Sequence, residues 1–283
     1  MTPSPDFQKL PKPFWAAVRS ISQHCGYTAA GTIKIPTIDE MRAAYAALGL
    51  TVAALELPLV RGRSVAQGLH DYYTYRARVL IDEAEPALMN AEQARAEFER
   101  LRRELNPRRP FPMNKQKAAK RAEAYLTCIV NMLVEAHAGG ADVDYNPMEL
   151  TTVTAGGAPL RTLSRRVDGA FPSTVNPIAI WEVKEYYYTT TFGSRVADGV
   201  YESLLDGMEL EELRMSENID VLHYLMLDAR YTWWDCGRSY LCRIVDMLQM
   251  GYVDEVLVGR QTIERLPMLV PMWAKRLLER GKA

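Results

Sequence analysis

The chain is poor in the residues that usually mark a chemistry on sight. Its four cysteines (Cys25, Cys128, Cys236, Cys242) include no CxxC pair, and none stands at zinc-site spacing to His24, His70, His137 or His223. Such usage excludes a disulfide scaffold and a structural zinc site; reduced, buried thiols are expected. No apolar run approaches membrane-spanning length, and residues 1–15, MTPSPDFQKLPKPFW, lack an apolar signal core. A cytoplasmic chain with no membrane partner is the expectation. An excess of charge is also missing. Lys and Arg number 34 against 35 Asp and Glu, a formal net charge of −1. A basic wrapper of nucleic acid is thereby excluded, whereas a local cationic cleft is not. No internal repeat, low-complexity segment, helicase motif or ATP-binding motif occurs, so no nucleotide cofactor is expected.

What remains is core-building material. A length of 283 residues with 48% hydrophobic and 24% charged content suits one large domain or two modest ones. After a Pro-rich polar arm over 1–12, Trp15, Val18 and Ile21 repeat at helical spacing and Gly26 offers a stop. Thr37-Ile38-Asp39-Glu40 is a capping-box pattern that opens a helix ending near Gly49. Helix is predicted again over 70–106, broken near Pro86, with a charge-dense, solvent-facing last half. The segment 106–114, NPRRPFPMN, holds three prolines and marks the boundary between an N-terminal helical region (1–110) and a second region (111–283).

The second region opens with Asn114 as the expected cap of a helix that runs to Gly139-Gly140. Lys115, Lys117, Lys120 and Arg121 fall in its first two turns, where cations oppose the helix dipole. Contact with phosphate is one account of them and a solvated end the other. Residues 151–154 read as a strand and 155–157 as a turn. Ser194 can cap a helix to about Leu213 with Arg195 at its start. Residues 219–227 form a buried strand, and a loop over 228–239 carries Arg230, Tyr231, Trp233, Trp234 and Arg238, either in a recognition position or as a loop anchored by its core aromatics. A helix ending at Gly251, a strand over 254–259 and a terminal helix complete the chain. Arginine outnumbers lysine, which suits bidentate phosphate or guanine contacts and salt bridges alike.

The informative stretch is 166–184, RVDGAFPSTVNPIAIWEVK. Residues 178–184 have strand composition, and alternation sends Ile180, Glu182 and Lys184 to one face, Ala179, Trp181 and Val183 to the other. Asp168, on the preceding strand of a hairpin, can sit beside Glu182 and Lys184. Two carboxylates and an ammonium at one point of a sheet are costly unless a cation is held there. The alternative is an exposed ion pair beside an ordinary Asp-Gly turn.

This arrangement resembles the PD-(D/E)XK nuclease superfamily, the fold of many type II restriction endonucleases. Val167-Asp168 stands for the PD element, with Val in place of Pro, and Glu182-Val183-Lys184 for the (D/E)XK element. Of the nine lysines, only Lys184 has an acid two residues before it. The resemblance implies an α/β (α+β mixed) fold with a restriction-endonuclease-like αβββαβ core behind the N-terminal helices. It implies Mg²⁺, replaceable by Mn²⁺, held by Asp168, Glu182 and the Val183 carbonyl, with Glu135 as an accessory acid and Lys184 acting on the attacking water. The implied substrate is double-stranded DNA, cut at a specific site by a homodimer and gripped by Lys115, Lys117, Lys120, Arg121, Arg195, Arg230 and Arg238. Another nuclease role on this fold, or a non-catalytic nucleic-acid-binding protein, stays open beside it.

Overall fold

Caps and apolar stripes account for the helices at the start of the chain. Helix α1 (Lys12–Cys25) follows Pro11 and buries Trp15, Val18 and Ile21, the residues at helical spacing. A hairpin, β1 (Thr28–Ala29) and β2 (Thr32–Ile33), leads to α2 (Ile38–Ala47). There the Glu40 N–H donates to Thr37 Oγ1 at 3.2 Å and the Thr37 N–H to Glu40 Oε2 at 2.7 Å, a closed capping box. A second box, Ser64 with Gln67, opens α3 (Val65–Val79). The three helices share a core around Phe14, Trp15, Tyr72 and Tyr73. A π-turn (Leu80–Ala84) and the single turn α4 (Glu85–Ala87) precede α5 (Ala91–Leu105). In this computed structural model the described residues are 1–8, 10–118, 121–188 and 193–281, with the side chains of Arg61, Ser194 and Arg195 outside that description.

The rest of the chain builds one four-stranded sheet between helices. After α6 (Tyr125–His137) come the hairpin β3 (Thr152–Ala155) and β4 (Ala158–Thr162), then β5 (Gly169–Phe171) and β6 (Ala179–Glu185). These are followed by α7 (Ser194–Glu217), β7 (Leu222–Asp228), α8 (Arg238–Gln249), β8 (Glu255–Val258) and α9 (Arg260–Arg280). The sheet order is β5-β6-β7-β8. Strand β5 pairs antiparallel with β6 (Gly169 opposite Trp181), while β6–β7 and β7–β8 are parallel, with α7 and α8 as the crossovers. Every residue of β7 is buried, as a central strand covered on both faces requires. One face carries α5, α6 and α9 over Trp181, Tyr224 and Met226; the other carries α7 and α8 over Leu225 and Leu227. The architecture is mixed α/β. Among the described residues no helix is long and apolar enough to cross a membrane.

Three sequence expectations are corrected. No helix starts at Asn114: α6 begins at Tyr125, so Lys115 and Lys117 lie on a loop. The Asn114 side chain instead accepts the N–H groups of Gln116 (3.2 Å) and Ala122 (3.3 Å), and Ala118 adopts a left-handed φ of 51°, which no helix continues. The strand over 151–154 exists as β3 but folds back on β4 through Gly156-Gly157, so that the two form a sheet of their own outside the main one. Residues 231–236 are not an open loop but a π-helical turn, with Trp233 buried in the core. In addition α5, on the N-terminal side of the Pro-rich segment, packs with α6 in the layer over the sheet.

Gly169 shows how tightly the start of β5 is held. A Cβ there would lie 2.1 Å from the Trp181 ring, which stacks on Trp273 at 5.7 Å between centroids. Gly169→Ala is therefore expected to destabilise the chain by about 1–3 kcal/mol and to displace the neighbouring Asp168. A melting temperature equal to that of the parent chain would refute the contact.

Candidate functional site

The hairpin β5–β6 brings Asp168, Glu182 and Lys184 to one point. Glu182 and Lys184 share the α7 side of β6, as two-residue alternation requires. Asp168 stands just before β5, where its N–H donates to the Trp181 carbonyl at 3.1 Å and its Oδ2 accepts the Val183 N–H at 2.8 Å. Its carboxyl lies against that of Glu182. Lys184 Nζ is 2.8 Å from Glu182 Oε2 and 2.7 Å from Glu202 Oε2. The main chain on either side of β6 bonds to β7 at even positions (Leu222 N–H to the Ile178 carbonyl, Tyr186 N–H to the Asp228 carbonyl). The odd-numbered Val183 therefore turns its C=O to the β5 side, where the neighbouring strand has ended.

Asp168, Val183, Lys184 and Glu202 line a cleft of about 1040 Å³, while Glu182 is wholly buried and is not among its lining residues. Glu123, Asp144, Asp168, Glu185, Asp198 and Glu202 line the cleft against Arg109, Lys115 and Lys184, so its described walls are net negative. Phe111, Tyr145, Tyr186 and Tyr188 add half-buried rings, and the Arg109 guanidinium covers Tyr145 at 4.1 Å.

Four residues of the cluster were not singled out from sequence. Helix α7 points Glu202 and Asp206 at the site with Asp198 a turn earlier, a four-residue spacing along one face. That spacing, directly after a Glu-Val-Lys strand, was the available signal. Arg165 gave none, because it lies in an irregular segment. Its Nη1 reaches Glu182 Oε1 (2.7 Å) and Asp206 Oδ2 (2.6 Å), and its Nη2 reaches Glu182 Oε2 (3.1 Å).

The other expected residues are placed elsewhere. Glu135 accepts the Arg108 N–H at 3.3 Å in a separate hollow and does not line the cleft. Lys115 lines the cleft rim; Lys117 and Arg121 are not among its lining residues. Lys120 and the side chain of Arg195 lie outside the described residues. Arg230 is tied to Glu85 at 2.6 Å, and Arg238 to the Gly31 carbonyl with its guanidinium 4.8 Å from the Trp234 ring. Both arginines hold the chain to itself.

The electrostatics follow from crowding. Burial would raise the Glu182 carboxyl, but Lys184 and Arg165 outweigh it and hold it below the usual range. Burial would lower the Lys184 ammonium, but Glu182 and Asp168 outweigh it and raise it. Asp168 meets solvent through the cleft mouth while protein surrounds the rest of it. That partial desolvation, then the charge of Glu182, pushes it up to about 6. Burial lifts Asp206, Glu185 and Asp228 to about 7 each. A carboxyl raised in the folded chain contributes stability at low pH that is lost as pH rises through its folded value. Buried His223, whose pKa is lowered, acts the other way below about 6.5. With four carboxyls against one imidazole and the buried Met1 amine, whose pKa is also lowered, the melting temperature is expected to fall between pH 5.5 and 7. A rise over that interval in a thermal-melt series would contradict the assignment.

Comparison with known proteins adds the following. A family model described as Domain of unknown function (DUF7687) matches residues 89–273, well over half of the chain. The chain belongs to this DUF7687 family. A second model, Domain of unknown function (DUF7690), matches residues 1–83. The two matches meet ahead of α5, so the DUF7687 span contains the sheet, α5 to α8, the first two thirds of α9 and every residue of the cluster. No curated protein and no solved structure matches the chain.

Proposed function

We propose that this DUF7687 chain is a divalent-metal-dependent nuclease of the PD-(D/E)XK kind, hydrolysing phosphodiester bonds of DNA in the manner of a type II restriction enzyme. The observation that carries the reading is the convergence of Asp168, Glu182 and Lys184 on the β5–β6 hairpin, with the Val183 carbonyl turned to the same edge. A helix and a parallel strand follow that hairpin directly, as the αβββαβ core requires, although β3 pairs outside the sheet.

The donor chemistry fits Mg²⁺. Among the described residues no group of three or more His, Cys, Asp or Glu side chains is placed to hold a metal ion. Mg²⁺ needs fewer, since it keeps several waters and takes one or two carboxylates. Asp168, Glu182 and the Val183 carbonyl are the oxygens that would hold it. When bound, the ion lowers the pKa of a coordinated water and offsets charge on the scissile phosphate. Lys184 remains an ammonium, because Glu182 and Glu202 flank it; it acts as a donor that orients the attacking water and the phosphate oxygen rather than as a base. Glu202 and Arg165 position Lys184 and Glu182 from α7 and from the segment before β5.

The negative cleft cannot attract a polyanion unaided, so binding to DNA is expected to depend on the divalent ion as well as on cations at the rim. Incubating the purified chain with plasmid and with single- and double-stranded oligonucleotides, in Mg²⁺ or EDTA, tests the reading. Mg²⁺-dependent ends bearing 5′-phosphate are expected. Lys115→Ala should weaken all sequences alike and reduce the log–log salt slope by about 0.9. No cleavage of DNA or RNA with either Mg²⁺ or Mn²⁺ would end the proposal.

A further inference from the structure

The Arg165 guanidinium occupies a point on which three carboxylates converge. Its Nη1 lies 2.7 Å from Glu182 Oε1 and 2.6 Å from Asp206 Oδ2; its Nη2 lies 3.1 Å from Glu182 Oε2 and 3.5 Å from Glu202 Oε2. The Glu182 and Asp206 side chains are wholly buried, while Arg165 is 21% exposed. Asp206 Oδ1 is buried with no hydrogen-bond partner, so even with the guanidinium in place the acids keep unspent acceptor capacity. Lys184 Nζ shares Glu182 Oε2 and Glu202 Oε2 with the Arg165 Nη2, at 2.8 and 2.7 Å.

Hard oxygens from a strand and a helix, gathered around one positive centre, are the donor chemistry of a divalent cation. A guanidinium is wider than such an ion, and with it in place the three carboxylates stand apart. That agrees with the absence, among the described residues, of a ready-made three-ligand group. We propose that Arg165 is a built-in counter-cation standing where a second divalent ion would be held, so that the chain takes one ion, at Asp168, Glu182 and the Val183 carbonyl, and not two.

The physical ground is exclusion. Two cations cannot share one point, and an arginine tethered by its own chain, half-buried and bonded to three acids, is not diluted away as a free ion is. Removing the guanidinium leaves Glu182, Glu202 and Asp206 facing Lys184 alone, an imbalance that a divalent ion corrects. The inference rests on the nuclease reading for the first ion, and on the Arg165 geometry alone for the second.

Counting Mn²⁺ bound per full-length chain, by the loss of the free-ion paramagnetic signal on titration, tests it without reference to activity. One Mn²⁺ is expected for the parent chain, two for Arg165→Ser, and one for Arg165→Lys, each checked for folding by thermal melt. Two ions on the parent chain, or no gain in Arg165→Ser, would overturn the assignment. No ion on the parent but one on Arg165→Ser would uphold the role of Arg165 and overturn the metal part of the nuclease reading. No ion on either overturns both. Should Arg165→Ser not fold, the parent count stands as a test, joined by Glu202→Gln, which alters a partly exposed acid that the first ion does not use. That variant should keep its single ion; losing it would overturn the placement.

Discussion

Replacing Lys184 with alanine should slow Mg²⁺-dependent cleavage by roughly 10²–10³-fold while the chain stays folded. The ammonium touches both Glu182 and Glu202, at 2.8 and 2.7 Å, and lines the cleft. On the proposed nuclease reading its loss removes the donor that would offset charge on the phosphate. Asp168→Asn should be as inactive, with the opposite sign on stability. Asparagine still accepts the Val183 N–H, so the hairpin keeps its closing bond. The Asp168 carboxyl, pushed up to about 6, is strained as an anion beside Glu182 at neutral pH. The variant should therefore melt slightly higher at pH 8, and the difference should shrink below about pH 6 and vanish near pH 4, where the carboxyl is protonated in the unfolded chain as well. Because Asp168 keeps contact with solvent, the gain is small. Parallel cleavage assays and melts at pH 8 and near pH 4 check both halves. Full activity in Lys184→Ala, or a lower melting temperature at pH 8 for Asp168→Asn, would overturn the assigned roles.

Asp246→Ala should cost about 3–5 kcal/mol, a loss on the order of 10 °C in melting temperature. Arg76, on α3, is fully buried, and its Nη1 lies 3.0 and 3.1 Å from the two oxygens of Asp246 on α8. Tyr72 also donates to Asp246, and the Arg76 guanidinium stacks 4.8 Å from the Tyr73 ring. This network joins the N-terminal helices to the layer over the sheet. Removing the acid strands a buried cation; removing both charges does not. The double replacement Arg76→Met with Asp246→Leu should recover most of the loss. Chemical denaturation of the three variants decides the matter, and an Asp246→Ala cost within about 0.5 kcal/mol of zero would mean that water reaches Arg76.

The parts of this chain legible in its sequence are those set by local rules. Two-residue alternation assigned Glu182 and Lys184 to one face of β6, because side-chain direction in a strand depends on parity alone. The capping box at Thr37 and Glu40 marked the start of α2, because its bonds close within four residues. The buried run that became β7 was visible in composition, since a central parallel strand is apolar on both faces. Where a residue had two local options, tertiary structure decided. Asn114 had the chemistry of a helix cap and became the staple of a loop, because its side chain bonds to Ala122 rather than to a first helical turn. Arg230 and Arg238, candidate DNA contacts on a loop by sequence, were taken by Glu85 and Gly31, far away in sequence. Sequence by itself determined which residues carry the Asp, Glu and Lys and which way the strand turns them. Only the packing of α7 and of the segment before β5 against that strand decided that Arg165, Glu202 and Asp206 complete the cluster. Electrostatic partners that meet across separate elements leave no periodic trace in the chain.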